Sequence, residues 1–290
     1  MSLQLIISGL AMGAIYALIA LGFTLIWNAV GIVNFAQGEL VMIAAYVSAG
    51  WLAMSLHLPW VLNLLMVMIF MAIFGIFIAR WMYHPLRKSS QLSAIVATIG
   101  LSLFLKNIAV LIWGPEPLID PSPFKAVTLH VGRAAFSGQY ISILAALLIL
   151  MGLQVFMFRR TQVGRAMQAT AQDGEVARLM GVNTKTIISI IFAYAFVLAG
   201  IAGVLMAPLF YVSADMGSLV ALKAFAACII GGFGNVQGAL VGGLILGVLE
   251  AFGSYFISSQ YVDVISFGLL IAFLIFRPQG IFGEPIMERP

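Results

Sequence analysis

The sequence predicts an all-α integral membrane protein: a polytopic helical bundle of about eight long transmembrane helices plus a broken short helix. Three observations predict it. Of the 290 residues, 63% are hydrophobic and only 8% charged, and the mean hydropathy is +1.12, far from the balance of a water-soluble domain. Apolar stretches of about 20 residues, the length that crosses a bilayer, recur from end to end with short polar interruptions. Runs such as WVLNLLMVMIFMAIFGIFIA are apolar on every face. The strands of a membrane barrel would alternate instead, so the spans are helices.

Taken in order, the long helices are expected near Leu3 to Trp27, Leu40 to Leu56, Trp60 to Ala79, Ser93 to Trp113, Tyr140 to Phe158, Ile187 to Phe210, Ala239 to Ile257 and Val262 to Phe276. The first has no Lys or Arg before it and exceeds the apolar part of a secretory signal, so it reads as a retained membrane helix. Leu219 to Ile230 is too short to cross alone. The glycine-rich GGFGNVQG that follows cannot face lipid with unsatisfied backbone groups, so this segment reads as a broken helix packed inside protein. Residues 1–290 then form one transmembrane domain.

Basic residues set the orientation. Arg80, Arg87 and Lys88 fall in one loop, Arg159, Arg160, Arg165, Arg178 and Lys185 in another, and Arg277 just after the last helix, which makes these three places cytoplasmic. Residues 159–186 are then a cytoplasmic loop and residues 114–139 a periplasmic one. The latter holds Lys125 and Arg133 and ends in alternating runs that can pair as a hairpin. Counting crossings puts the N-terminus outside and the C-terminus in the cytoplasm, provided the Leu219 segment reaches the cytoplasmic side rather than re-entering.

Several function classes are excluded or weakened. A net charge of +4 could point to nucleic acid, but the basic residues lie in interhelical loops without a folded basic domain, so no nucleic-acid partner is expected. With Cys228 as the single cysteine, no intrachain disulfide forms. His57, His84 and His130 are dispersed, and no metal, cofactor or catalytic site is expected. No G-x-x-x-x-G-K-[ST] loop occurs, so the chain has no visible site for nucleotide phosphates.

What remains is a short set of polar features. VNFAQGELVMIAAYVSAG and FGNVQGALVGGLILGVLEAFG each place Asn and Gln just before a glycine that opens an apolar helix. The likeness is either chance or the trace of two pseudo-symmetric broken helices meeting at mid-membrane. Ionisable residues inside or near apolar runs are Glu39, Lys106, Asp215, Lys223 and Glu250, each costly enough in lipid to be a site candidate, although the lysines can instead reach the interface. Asn34, Gln37, Glu39, Asn235, Gln237 and Glu250 are therefore expected to line or support a translocation path. Glycines four apart, Gly9 with Gly13, Gly238 with Gly242 and Gly243 with Gly247, allow close helix approach either within the chain or across a seam with a second chain.

The loop FRRTQVGRAMQATAQDGEVARLMGVNTKT is polar, basic and helix-prone. Read as a helix it offers the small or apolar contacts Ala166, Ala169, Ala177 and Met180, with Asp173 and Glu175 central and Gly181 at its end. It suits either insertion into a partner's groove or an ordinary interfacial helix.

The run Gly164 to Val182, with DGEVARLMG at its heart, resembles the EAA-type cytoplasmic loop of ABC-importer permeases, and especially the branched-chain amino-acid permease family of LivH type. NFAQGELVMIAAY, KAFAACIIGGFGNVQGALVGGLILGVLEAFG and RPQGIFG resemble that family too, so the similarity covers nearly the whole chain. Glu175 is followed by Val176 and only then by Ala177, a departure from the older EAA pattern that LivH-type loops share. The resemblance implies a multi-pass subunit of the bacterial inner membrane, surrounded by membrane lipid and not itself an enzyme. Its partners would be a homologous second permease, two cytoplasmic ABC ATPases and a periplasmic substrate-binding protein. Coupling to the ATPases would fall to Gly164, Arg165, Ala166, Ala169, Asp173, Glu175, Ala177, Arg178 and Gly181. Substrates would be branched-chain or other hydrophobic amino acids, with urea or short amides as the alternative. The rival reading from the residues themselves is an ion-coupled secondary transporter or channel, and a membrane enzyme is a more distant one.

Overall fold

The computed structural model describes residues 2–54, 56–86, 90–120, 124, 128–131 and 134–283; Arg87, Lys88, Lys125 and Arg133 of the expected loops lie outside these. Helix α1 spans Ser2–Val30 and α2 Gln37–Tyr46, which runs on as a π-helical stretch, Val47–Ala53. Helix α3, Trp60–Ile78, passes through π-helical Ala79–Tyr83 into the short α4, His84–Leu86, and α5 is Gln91–Trp113. An antiparallel hairpin of β1, Thr128–Val131, and β2, Ala134–Ser137, pairs Thr128 with Ser137, as the alternating runs predict. Then come α6 Gly138–Arg160, α7 Gln162–Gln172, α8 Gly174–Leu179, α9 Thr184–Met206, α10 Met216–Gly231, α11 Val236–Phe256, a 3₁₀ turn at Ser259–Tyr261, and α12 Val262–Phe276.

Among the described residues seven helices are long and apolar enough to cross a membrane, and the chain is a helical multi-pass membrane protein. The expected helix from Leu40 to Leu56 has only ten α-helical residues before the π stretch begins. Its register changes where Gly50 lies against the indole of Trp113, which also stacks on Tyr46 with ring centroids 5.1 Å apart.

Helix α10 runs from inside the bundle, where Gly217 abuts Gly38 at the start of α2, to the end where α1 finishes. At its start, Asp215 pairs with Lys106 of α5 at 2.5 Å, and nearby Val212 bridges to Leu118 in the loop after α5. At its finish, Ile230 and Gly231 accept backbone hydrogen bonds from Ile281 and Phe282, which follow α12. Asn28, near the end of α1, donates to the carbonyl of Gly234 at 2.7 Å. The turn after α10 thus lies at the end where α1 finishes and α7 and α8 sit. The described ends of the chain, at Ser2 and Gly283, consequently lie at opposite ends of the bundle.

Burial follows a gradient from the centre outward. Helix α1 is buried over 67% of its most apolar window and α9 over 78%, against 17% for α5 and 6% for α12. The centre is made of small residues because lipid gives helices no hydrophobic reason to associate, and only close backbone approach yields enough dispersion contact. Gly9 and Gly13 of α1 face Gly243 and Gly247 of α11, while Gly238 and Gly242 pack on Gly231 and Ala227 of α10. These glycine pairs therefore serve packing within the chain.

A Cβ at Gly247 would lie 2.2 Å from the backbone nitrogen of Gly13, whereas one at Gly100 on α5 would meet nothing within 4 Å. Gly247→Ala is expected to lower stability by about 3 kcal/mol through forced helix separation. Gly100→Ala should raise it by about 0.5–1 kcal/mol through helix propensity. Thermal melting in detergent micelles checks both signs.

Asp120, in the loop after α5, is 3% exposed, and burial pushes its carboxyl up to about 6, against the opposing pull of a hydrogen bond from Ser48. Because the folded value is raised, the neutral form favours folding, and that contribution is lost as pH climbs from about 4 to about 6. Asp120→Asn should melt higher than wild type above pH ~6 and level with it below pH ~4.

Candidate functional site

The segment expected to receive a partner forms two helices, not one continuous helix from Gly164 to Gly181. Thr161 caps α7 by accepting from the Gly164 amide at 3.0 Å. The chain then breaks at Asp173, where φ is −157° and ψ 105°. The break occurs because the Asp173 side chain accepts from the amides of both Glu175 and Val176 at 2.9 Å, ending one helix and nucleating the next. Gly181, with φ +88°, closes α8. Its amide bonds to the Arg178 carbonyl and that of Val182 to the Ala177 carbonyl, the paired bonds of a Schellman motif.

One face of this segment holds it to the bundle. Gly164, Met167, Thr170 and Ala177 are buried, Ala166 and Ala169 half-buried, and Gly164 sits against the last turn of α6. Arg165, Asp173, Glu175 and Arg178 point to the surroundings. Beside them Val176, Leu179 and Met180 are 54%, 86% and 81% exposed. An apolar patch on so polar a segment is unusual for a surface with no partner. Leu179 escaped sequence reasoning because it lies outside the set of small residues that marks a docking helix.

The polar residues expected along a path divide among separate places. Gln37 is fully buried and donates to the Ala195 carbonyl at 3.4 Å, and Asn34, itself 3% exposed, donates to Gln37 at 3.3 Å. They tie the start of α2 to the middle of α9. Glu39, two residues further, is 4% exposed and lines a cavity of about 240 Å³, with its Oε2 unpartnered. Asn235 caps α11 through the Gly238 amide and donates to the Phe282 carbonyl at 3.1 Å, a support for the turn. Gln237 lines a different cavity of about 520 Å³ at the α7–α8 end, with Asn28, Arg159 and Gln154. Gln154 is 3% exposed and both of its amide atoms lack partners. No spacing signal marked it within the apolar run of α6.

Glu250 has no free oxygen. Tyr16 of α1 donates to its Oε2 at 2.7 Å, Ser266 of α12 donates to its Oε1, and Lys223 of α10 lies 3.0 Å from the same atom. Lys223 also meets Asp263 of α12 at 2.9 Å. Lysine and glutamate are each 6% exposed, so Lys223 turns inward and does not reach for the interface. The echo therefore pairs differently in space. Gly38 at the start of α2 abuts Gly217 at the start of α10, where a Cβ on Gly38 would lie 2.2 Å from the Gly217 carbonyl oxygen. Two helix beginnings do meet inside the bundle, and the second belongs to α10.

Comparison with known proteins connects this architecture to a family. The family described as branched-chain amino acid transport system / permease component matches residues 5–274. The chain belongs to this permease family. The high-affinity branched-chain amino acid transport system permease protein LivH of Salmonella typhimurium is 36% identical over 300 residues, covering 99% of this chain and 97% of that protein. The corresponding protein BraD of Pseudomonas aeruginosa is 36% identical over 303 residues, with the same coverage. Among solved structures, a chain of PsaBC from Streptococcus pneumoniae in complex with Fab shares the fold, with a TM-score of 0.54 over 94% of this chain and 91% of that one, at 11% identity.

In a permease of this kind the cluster of Lys223, Glu250, Asp263, Tyr16 and Ser266 joins α1, α10, α11 and α12 through charge. Removing either Lys223 or Glu250 strands the other in a buried site. Lys223→Met is expected to cost about 3–5 kcal/mol, and adding Glu250→Gln to recover a large part of it. A double-mutant cycle on denaturation in mixed micelles measures the coupling; additive losses would contradict it.

Proposed function

We propose that the chain forms half of the membrane pathway of an ATP-driven importer for branched-chain or other hydrophobic amino acids, and that separate ATPases drive it through α7 and α8. The observation that carries this reading is the exposed apolar patch of Val176, Leu179 and Met180 on a helix fixed at both ends, by the Asp173 cap and the Gly181 turn. Such a rigid protrusion fits a groove on a partner. Membership of the permease family and the lack of a P-loop support the division of labour, with a second permease completing the path and an external binding protein delivering the solute.

The path of force follows from the connections. Helix α7 is held to the end of α6 at Thr161, whose hydroxyl donates to the Met157 carbonyl at 2.7 Å, and α9 begins within five residues of α8 under the Asn183 cap. A push on α8 reaches α6 and α9 directly. Because α9 packs along α1, α2 and α3, rocking it re-angles the core helices against the outer ones. Arg80, Arg159, Arg160, Arg165, Arg178, Lys185 and Arg277 all lie toward the α7–α8 end, which supports a cytoplasmic position for that end and for the C-terminus, and a periplasmic N-terminus in a bacterial inner membrane.

Leu179→Asp should leave the fold intact, since the side chain is 86% exposed, yet cost co-purification of the ATPases and at least about ten-fold in uptake, as expected when a buried apolar anchor is replaced by a charge. Pull-down from membranes expressing the whole operon reads the first effect and radiolabelled leucine uptake the second. Robust ATP-independent uptake by this chain alone would favour an ion-coupled carrier instead.

A further inference from the structure

We propose that the cavity at Glu39 is a transit site for a zwitterionic amino acid, with the Glu39 carboxylate receiving the α-ammonium group and the first turn of α10 receiving the carboxylate. The proposal rests on the importer reading above and names what the path holds and where.

Three independent features converge there. The first is charge: Glu39 is 96% removed from solvent by the bundle, its Oε2 has no hydrogen-bond partner, and the cavity wall contains no other ionisable side chain among the described residues. A carboxylate so placed is costly unless a cation or a proton comes to it. The second is the opposite pole. Helix α10 begins beside it, and Asp215 at its N-cap makes no side-chain capping bond, being turned to Lys106 at 2.5 Å. The amides of that first turn therefore form an anion-favouring end with the Asp215 charge neutralised. The Gly38 to Gly217 contact brings the two poles side by side, since anything larger at either position would separate the helix starts. The third is the wall. Phe23, Phe35 and Phe225 surround the acid, with ring centroids of 5.9 Å for Phe23 to Phe225 and 6.4 Å for Phe35 to Phe225, and their faces favour both an ammonium group and an aliphatic side chain.

Size agrees with one amino acid. The cavity holds about 240 Å³, below the roughly 300–1,000 Å³ of pockets for drug-sized ligands. Its place along the bundle fits a transit site as well. Gln37, two residues before Glu39, bonds to Ala195 near the middle of α9, so the cavity lies away from both ends. Aromatic contacts continue from Phe225 to Phe233 at 5.6 Å and on to Trp27 at 4.9 Å, toward the α7–α8 end. A released solute would meet apolar faces in that direction before it reached the α7–α8 end.

The test uses the assembled transporter in lipid nanodiscs, without nucleotide, carrying Leu222→Cys at the cavity wall and Cys228→Ser to remove the natural thiol. Labelling by N-ethylmaleimide is timed with and without leucine. Leucine at ten times its Kd should slow labelling about ten-fold. At the same concentration 4-methylpentanoate, which has the side chain and carboxylate but no amine, should not protect. Glu39→Gln in the same background should weaken protection by leucine roughly ten- to a hundred-fold, and Glu39→Asp should retain most of it. Equal protection by 4-methylpentanoate, or full protection in Glu39→Gln, would overturn the proposal, and the analogue comparison needs no change at Glu39. The same preparations are scored for bound ATPase. Failure of the importer reading registers as ATPase absent from the wild-type complex, and failure of the transit site as unprotected thiol in an intact one.

Discussion

Two helices in hydrocarbon gain nothing by hiding apolar side chains from each other, so what joins them must be contact itself. Here that contact is the seam between α1 and α11, where Gly9, Gly13, Gly243 and Gly247 let backbones touch. Everything more specific is built on that approach. Because the seam is narrow, Tyr16 of α1 reaches Glu250 of α11, and α10 and α12 are drawn in by Lys223, Asp263 and Ser266. Polar groups that would be ruinous singly in lipid become mutual partners, and the charge cluster in turn fixes the rotation of α10 about its axis.

That rotation decides what the beginning of α10 presents. With Lys223 held inward by Glu250, Gly217 faces Gly38, while Ser218 and Leu222 face the cavity beside Glu39. The cavity thus depends on a charge pair some six residues further along the same helix. One buried carboxylate, Glu250, is saturated by three donors, and the other, Glu39, keeps an oxygen without any. Both were equally suspicious as glutamates in apolar sequence, yet their surroundings assign them opposite parts.

The sequence reading went furthest where a single physical signal sufficed. Apolar length alone marked α12 from Val262 to Phe276, the bounds found, and alternation alone marked the hairpin. Gly181 was legible as a helix stop because a left-handed residue there favours glycine. Features set by partners distant in the chain were not legible. Asp173 could have been an interior residue of one long helix, and only its bonds to two amides make it a break. The echo of Asn, Gln and Gly pointed to α2 and α11, whereas the helix start that meets α2 is that of α10, where Gly217 stands alone without the motif. Likewise Gln154 lies in an apolar run, and its importance comes from the cavity it shares with Gln237, which forms where α6 and α11 both stand beside α1.

The gradient in burial gives the molecule a way to convert force into access. Helices α1 and α9 are held on nearly all sides, whereas α5 and α12 touch little of their own chain. Movement therefore costs least between the centre and the rim, since few contacts need to break there. Helix α5 supplies Ile99 and Ser102 to the Glu39 cavity, and α1, α2, α10 and Phe35 of the loop before α2 supply the rest, so that cavity lies on the boundary between the firmly packed centre and a loosely packed rim. Helix α9, which continues the α7–α8 segment, bonds through Ala195 to Gln37 two residues from Glu39. A displacement of α9 reaches the cavity through one hydrogen bond and a rigid helix start, and its opposite wall need not follow. A site built across such a boundary changes shape when the centre moves, which is the requirement for a path that opens to one side at a time.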